Sequence, residues 1–259
     1  MQQDLFLPYQ WLANYYDRFM QDVDYAALAD FYEQLFAQYL NNKPHVVLDL
    51  GCGSGVLTLE LARRGYEMIG ADCSAEMLAM AQAHAAAKKT EILWVQQDMR
   101  ELSLYGSVGA VICSLDCVNY LLLQDQLVRT FDGVFRFLDP GGLFLFDVNT
   151  VYKFEHAFAG QTYVYEQENV YCVWENVYHP RTRRCDFVLD FFEKEKNGMY
   201  SRKTEVQTQR AWSDRTLQNT LHQSGFVIRR VCSDLQLTPA GKTDLRHYYV
   251  CQKPMGDQE

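Results

Sequence analysis

The residues best suited to chemistry form one short run, Val47-Leu48-Asp49-Leu50-Gly51-Cys52-Gly53-Ser54-Gly55. Its apolar first half reads as a strand. The glycines at 51, 53 and 55 let the backbone turn tightly and let a ligand approach with no Cβ in the way. The spacing is G-x-G-x-G, not the G-x-G-x-x-G of dinucleotide binders, and Val56 stands where their third glycine would be. Asp49 puts a carboxylate just before the turn, which repels a pyrophosphate and attracts an ammonium. Asp72 ends the next strand, where a carboxylate can accept hydrogen bonds from both hydroxyls of a ribose. Asp98 follows the third strand and can receive an exocyclic amine while Met99 packs on a ring. Three carboxylates thus stand at the carboxyl ends of three successive strands, the rim on which open α/β sheets bind ligands. That rim suits a cationic adenosine compound.

The elements that must hold these residues alternate. Strands are expected at 45–50, 66–71, 92–95, 110–115 and 143–148. Helices are expected at 56–64, at 75–88 with Ser74 as cap, and at 124–138, closed by Asp139-Pro140-Gly141-Gly142. Before them, Tyr9, Leu12, Ala13, Tyr16, Phe19 and Met20 recur at helical spacing, and the pattern resumes from Ala26 to Leu40. After them, residues 151–212 hold 13 aromatics in 62 residues and read as an inserted antiparallel sheet, with strand candidates at 163–165, 172–174, 185–192 and 201–210. A helix at 214–224 capped by Ser213, and an antiparallel pair at 226–232 and 247–252, complete a seven-stranded, mostly parallel, doubly wound α/β sheet. The expected domains are a core of 1–150 and 213–259, with 1–42 a helical lid, and an inserted subdomain of 151–212.

Composition bounds the function. The net charge is −9, from 24 Lys plus Arg and 33 Asp plus Glu, which argues against a chain built to coat nucleic acid. The eight Cys form no CxxC and no finger-like spacing, so they read as reduced thiols of a cytoplasmic protein, with no metal site expected. Met1–Pro8 lacks the pattern of a signal peptide, and no apolar run reaches the roughly 18 residues that cross a bilayer.

The motif Asp49-Leu50-Gly51-Cys52-Gly53-Ser54-Gly55, with Asp72 and Asp98 at these distances, resembles the class I S-adenosylmethionine-dependent methyltransferases. The likeness covers about 45–150 and resumes at 213–252. Tyr9-x-x-Leu12-Ala13-x-x-Tyr16-Asp17, Cys113 to Tyr120, and Trp174-Glu175-Asn176 are similar to a bacterial small-molecule branch with a β-sheet inserted after the fifth strand. The resemblance implies that Asp49, Gly51, Cys52, Gly53 and Gly55 hold the methionine part of the donor. It places Asp72, with Cys73 beside it, at the ribose, and Asp98 with Met99 at the adenine. Leu115 would contact the amino group, and Tyr9 and Tyr16 would cover the cofactor.

The methyl of a sulfonium is already activated, so such a protein mainly aligns acceptor, methyl and sulfur and excludes water. A general base can assist, and the candidates are Asp116, Asn119, Tyr120 and Asp147. Asp116 and Asp147, at strand ends, each have a plain structural alternative as a cap of a helix or turn. Asn119-Tyr120 is not the Asn-Pro-Pro-Tyr/Phe of enzymes that methylate amides and base amines. No histidine sits in a motif. Tyr152, Trp174, Glu175 and Trp212 are expected to line an acceptor pocket, although inserted aromatics serve equally to pack on the core or to form a homodimer. The reading is therefore methyl transfer to nitrogen or oxygen of a small molecule, yielding S-adenosylhomocysteine. The competing reading is an RNA methyltransferase, favoured by Arg181, Arg183, Arg184 and Arg229-Arg230. A third is a non-catalytic binder of the donor.

Overall fold

The computed structural model describes residues 11–167 and 169–256; Tyr9 lies outside them. A 3-10 turn at Leu12–Tyr15 leads to a single helical turn, α1 (Tyr16–Phe19), and then to α2 (Tyr25–Tyr39). The alternation that follows is β1 (Val47–Leu50), α3 (Val56–Arg63), β2 (Met68–Asp72), α4 (Ala75–Lys88), β3 (Leu93–Gln96), β4 (Val108–Cys113), α5 (Gln124–Phe137) and β5 (Leu138–Asn149). A short helix, α6 (Val151–Lys153), runs on as a π-turn to Phe158. Four antiparallel strands come next: β6 (Thr162–Gln167), β7 (Val170–His179), β8 (Arg184–Lys194) and β9 (Tyr200–Arg210). Helix α7 (Asp214–Gln223) and strands β10 (Val227–Cys232) and β11 (Arg246–Gln252) return the chain to the main sheet.

That sheet has the order β10-β11-β5-β4-β1-β2-β3, with β11 running against both its neighbours. The seven-stranded, mostly parallel, doubly wound α/β sheet expected from the sequence is borne out. So is the separate antiparallel sheet, ordered β6-β7-β8-β9. The chain winds outward from β1 in one direction through β2 and β3, and in the other through β4 and β5. The switch point therefore lies between β1 and β4, where such sheets open a crevice at their carboxyl edge.

Alternate strand residues supply the two faces. Leu48, Leu50, Val111, Phe144 and Phe146 pack with Leu127, Phe131 and Val134 of α5 and Leu217 and Leu221 of α7. Val47, Ala110, Ile112, Leu143 and Leu145 pack on the other face with Leu28, Phe31 and Leu35 of α2 and Leu57 and Leu61 of α3. Caps fix the helix starts: Ser74 and Ser213 accept from Met77 and Thr216 as expected, and Asp24 accepts from Ala27.

Two local expectations change. Asp139-Pro140-Gly141-Gly142 does not stand outside the sheet but lies within β5, as an irregularity between the pairs Val108–Leu138 and Ala110–Leu143. The Gly141 amide donates to the Lys253 carbonyl, so the β11 extension absorbs a group that a helix-ending turn would leave to water. In the N-terminal segment, a 3-10 turn and one helical turn replace a regular helix. The amides of Trp11 and Leu12 are taken by Glu205 of β9, a tertiary partner that local periodicity does not encode. No helix among the described residues is long and apolar enough to cross a membrane.

Phe131 is fully buried against the stacked rings of Phe144 and Phe146. Phe131→Ala should cost about 3–5 kcal/mol, read as a lower urea midpoint with an unchanged slope.

Candidate active site

A cavity of about 430 Å³ opens at the switch point. The turn after β1 forms one wall. Gly51, Gly53 and Gly55 all have positive φ, as the spacing requires. A Cβ on Gly51 would lie 2.8 Å from the Cys117 sulfur, so only glycine lets the β1 and β4 loops meet. Gly55 differs from its neighbours: it starts α3 behind the wall, against Trp94 and Ala81, and does not face the cavity.

Asp49 and Asp72 stand on this wall with no cation bonded to either among the described residues. Asp49 is buried and accepts from the Thr58 hydroxyl at 2.6 Å. Burial, augmented by the charge of Asp72 and opposed by the Thr58 bond, raises its pKa to about 7. Asp72 accepts from the amides of Gly53 and Ser74, both at 2.9 Å, and so clamps the glycine turn to the start of α4. Burial lifts its pKa too, against those bonds. Cys52 and Cys73 also face the cavity, and burial raises both thiols, Cys73 to about 11, so they stay neutral.

Asp98 and Met99 lie on the wall as well, beside Gln97 and Arg100. Asp98 is not a bare acceptor. It receives the backbone amide and the guanidinium of Arg100, and these bonds outweigh burial to hold its pKa below the usual range. The opposite wall comes from Ser114 and Leu115 after β4, from Tyr120, Leu121 and Leu122, and from Val206, Gln207 and Thr208 of β9. Tyr16 closes the cavity from the N-terminal segment. That segment is tied down at its other side, where Asp17 accepts from Ser54 at 2.6 Å and faces His84 at 3.2 Å.

The four base candidates divide. Asp147 is buried; it accepts from the amides of Leu115 and Asp116 and pairs with Arg246. Asp116 pairs with the same guanidinium at 2.7 Å and accepts from Gln209. Both carboxylates therefore act as braces that hold Leu115 and Asp116 at positive φ. Asn119 is buried and stitches Asn149 to the Arg210 carbonyl. Tyr120 alone of the four lines the cavity, and its hydroxyl donates to Gln207 at 2.6 Å.

None of the residues expected to line an acceptor pocket is on the cavity wall. Trp212 is buried in the main core, with its indole N–H donating to the Leu121 carbonyl. Trp174 packs against Phe187 and Tyr165 in the hydrophobic cluster under the inserted sheet. Tyr152 stacks on His156, and Glu175 is exposed on the other face of β7. Aromatic character marked the inserted sheet but not its functional edge. Val206, Gln207 and Thr208 were missed because an alternating polar strand carries no motif, and Arg246 because it is a lone basic residue in the last strand.

Comparison with known proteins settles the family. A family model described as a methyltransferase domain matches residues 47–142. YqeM of Bacillus subtilis strain 168, named as a methyltransferase, is 32% identical over 247 residues, covering 95% of this chain and 97% of its own length. GWCH70_2453 of Geobacillus sp. strain WCH70, also named as a methyltransferase, is 30% identical over 95% of this chain and all of its own. The chain is an S-adenosylmethionine-dependent methyltransferase. The crystal structure of such a methyltransferase from Clostridium acetobutylicum superposes with a TM-score of 0.84 at 26% identity, covering 94% of this chain and 98% of that one. Among the described residues of this methyltransferase no group of three His, Cys, Asp or Glu is placed to hold a metal ion, and the eight cysteines are free.

The raised pKa of Asp49 has a stability consequence. A carboxylate held near 7 when folded, against 3.8 ordinarily, stabilises fully below about pH 4 and loses that contribution as pH rises through 7. The methyltransferase without ligand should therefore lose on the order of 3 kcal/mol between pH 4 and 8 through this group. Asp49→Asn, which still accepts from Thr58, should flatten that slope in urea melts at a series of pH values. An unchanged slope would assign the loss elsewhere.

Proposed function

We propose that this methyltransferase transfers the methyl group to a nitrogen of a small molecule, with the donor on the glycine wall and the acceptor against β9. The single observation behind this reading is the division of the cavity. One side carries buried Asp49 and half-buried Asp72, with no cation bonded to either among the described residues, and the other carries Tyr120, Leu122, Val206, Gln207 and Thr208. A sulfonium donor brings an activated methyl, so the protein needs to supply no covalent chemistry.

The residues fit that donor. Asp49 and the turn through Cys52 and Gly53 are placed for its cationic amino-acid part. The carboxylate oxygens of Asp72 each use one lone pair on a backbone amide and keep a second for a pair of hydroxyls. Met99 offers an apolar face for a base, with Asp98 and Arg100 as a neutral pair at its edge. Leu115, held at positive φ by Asp147, presents main chain to the ligand. Tyr16, anchored through Asp17 to Ser54, covers the site and excludes water; of the expected lid at 1–42, the described segment around α1 takes this role, whereas α2 packs in the core.

The acceptor side favours an amine. The described wall contains no histidine, lysine or glutamate, and its carboxylates lie on the donor side. A hydroxyl acceptor needs a base to take its proton in the transition state, whereas an amine that arrives neutral does not. Tyr120 and Gln207 then orient the acceptor: Tyr120 donates to Gln207, whose amide donates to Glu205, which in turn holds the amides of Trp11 and Leu12. This chain of bonds links the acceptor wall to the covering segment, so residues 151–212 serve as the specificity subdomain. A homodimer through the open face of that sheet is compatible with this arrangement.

Asp72→Ala should weaken S-adenosylhomocysteine binding by about 1.5–3 kcal/mol in calorimetry and abolish transfer of labelled methyl from the donor to a cell extract. Label recovered in a dialysable amine supports the reading. Label recovered in RNA, or unchanged product affinity in a folded variant, overturns it.

A further inference from the structure

The acceptor side of the cavity continues along the open face of β9. Val206 and Thr208 line the cavity. The next residue on their face is Arg210, about 7 Å further along the strand. Its guanidinium is anchored at the cavity mouth: Nη1 donates to the carbonyl of Leu122 at 2.7 Å, and the Trp212 ring lies 4.1 Å away. Its Nε is buried and has no acceptor.

Directly opposite Arg210 in the β8–β9 register stands Arg184, with Arg183 before it. Like charges facing each other in an antiparallel pair destabilise it, so this arrangement calls for a reason. The carboxylates of β8 supply no relief. Asp186 is engaged by His179 and Thr208, Asp190 by Arg202 and Thr204, and Glu193 by Lys203 and Tyr15. No carboxylate pairs with Arg183, Arg184 or Arg210 among the described residues. Burial first, and then the charges of Arg184 and Arg183, hold the Arg210 guanidinium below its ordinary pKa. In a chain of net charge −9, a local excess of cations beside the acceptor wall is a specific feature.

We propose that Arg184 and Arg210, with Arg183 beside them, form a subsite for an anionic group on the methyl acceptor, a phosphate or a carboxylate lying outside the cavity that receives the amine. The proposal rests on the small-molecule reading above. An anion here turns the cross-strand repulsion into two charge-assisted contacts. It also fixes the acceptor at a second point, so that the nitrogen enters the cavity in one orientation.

The test titrates the whole protein with inorganic phosphate, pyrophosphate and succinate, and with S-adenosylhomocysteine in parallel. The expected result is binding of phosphate probes or of succinate, the stronger of them naming the anion. Arg184→Glu should weaken it about tenfold or more with product affinity unchanged. The same variant puts opposite charges in register with Arg210, so Tm should rise by about 1–3 °C. Arg184→Gln should lose the anion with a smaller gain in Tm. A site that merely supported the fold would not lose the anion while gaining stability.

The proposal falls if no probe binds at millimolar concentration, or if Arg184→Glu leaves binding unchanged. It falls too if an RNA gel shift is abolished by Arg184→Glu while the small anions are ignored. Failure of the small-molecule reading itself is distinguishable, because labelled methyl would then appear in RNA whatever the anion titration shows.

Discussion

The constraint on which the rest of this methyltransferase depends is the placement of buried Asp49 beside half-buried Asp72, with no cation bonded to either among the described residues. Two carboxylates at the carboxyl ends of adjacent strands raise each other's cost of ionisation, and burial raises it further. The protein spends hydrogen bonds on them: one hydroxyl for Asp49, two backbone amides for Asp72. These bonds orient the oxygens but leave the charge unbalanced. On the proposed reading, a ligand with positive charge would complete the site, and that requirement would select the donor more sharply than the shape of the cavity. The glycine turn follows from the same need, since a Cβ at Gly51 would push the β1 loop off Cys117 and open the wall that the carboxylates share.

A second charge cluster, partly buried, stands behind the wall opposite the glycine turn. Arg246 on β11 faces Asp147 on β5 and Asp116 in the β4 loop. The net charge of this triad is −1, and Asp147 additionally accepts the amides of Leu115 and Asp116. Leu115 and Asp116 both adopt the left-handed conformation, which is costly for residues with a Cβ and persists only where the surroundings impose it. Buried ion pairs add little net stability, but removing one partner leaves an uncompensated charge. The triad is best understood as a geometric brace: it holds the wall opposite the glycine turn at a fixed distance.

How much of this was legible in the sequence follows from where each determinant lies. The parallel sheet was readable because β1, β4 and β5 are buried on both faces and therefore appear as unbroken apolar runs. The donor wall was readable because its residues follow strands at close sequence spacing, where a turn forces composition. The acceptor side was not. Trp174 and Trp212 attracted attention as aromatics, yet large rings in a small inserted sheet are consumed in anchoring it to the core. The residues left facing the cavity are Val206, Gln207 and Thr208, selected by the edge position of β9, a fact of strand order that no local pattern records. Asp116 and Asp147 looked like bases because strand ends are where bases belong. Only the tertiary approach of Arg246, 99 residues after Asp147, turns them into braces.

The distribution of charge along the cavity then links the two halves of the molecule. Asp49 and Asp72 belong to the parallel sheet, and Arg184 and Arg210 to the inserted sheet outside the cavity lining, while Tyr120, Leu122, Gln207 and Thr208 on the wall are neutral. On the proposed reading, a cationic donor would lie against the carboxylates and an acceptor carrying an anion would reach towards the arginines, with the neutral wall residues and Tyr16 around the reacting atoms. If the acceptor is the proposed amine, the hydroxyl of Tyr120 and the amide of Gln207, held in line through Glu205, would face its nitrogen. In such a transfer the positive charge would pass from the donor sulfonium to the acceptor nitrogen, so none would be created, while the ammonium that Asp49 is proposed to meet would remain on the product.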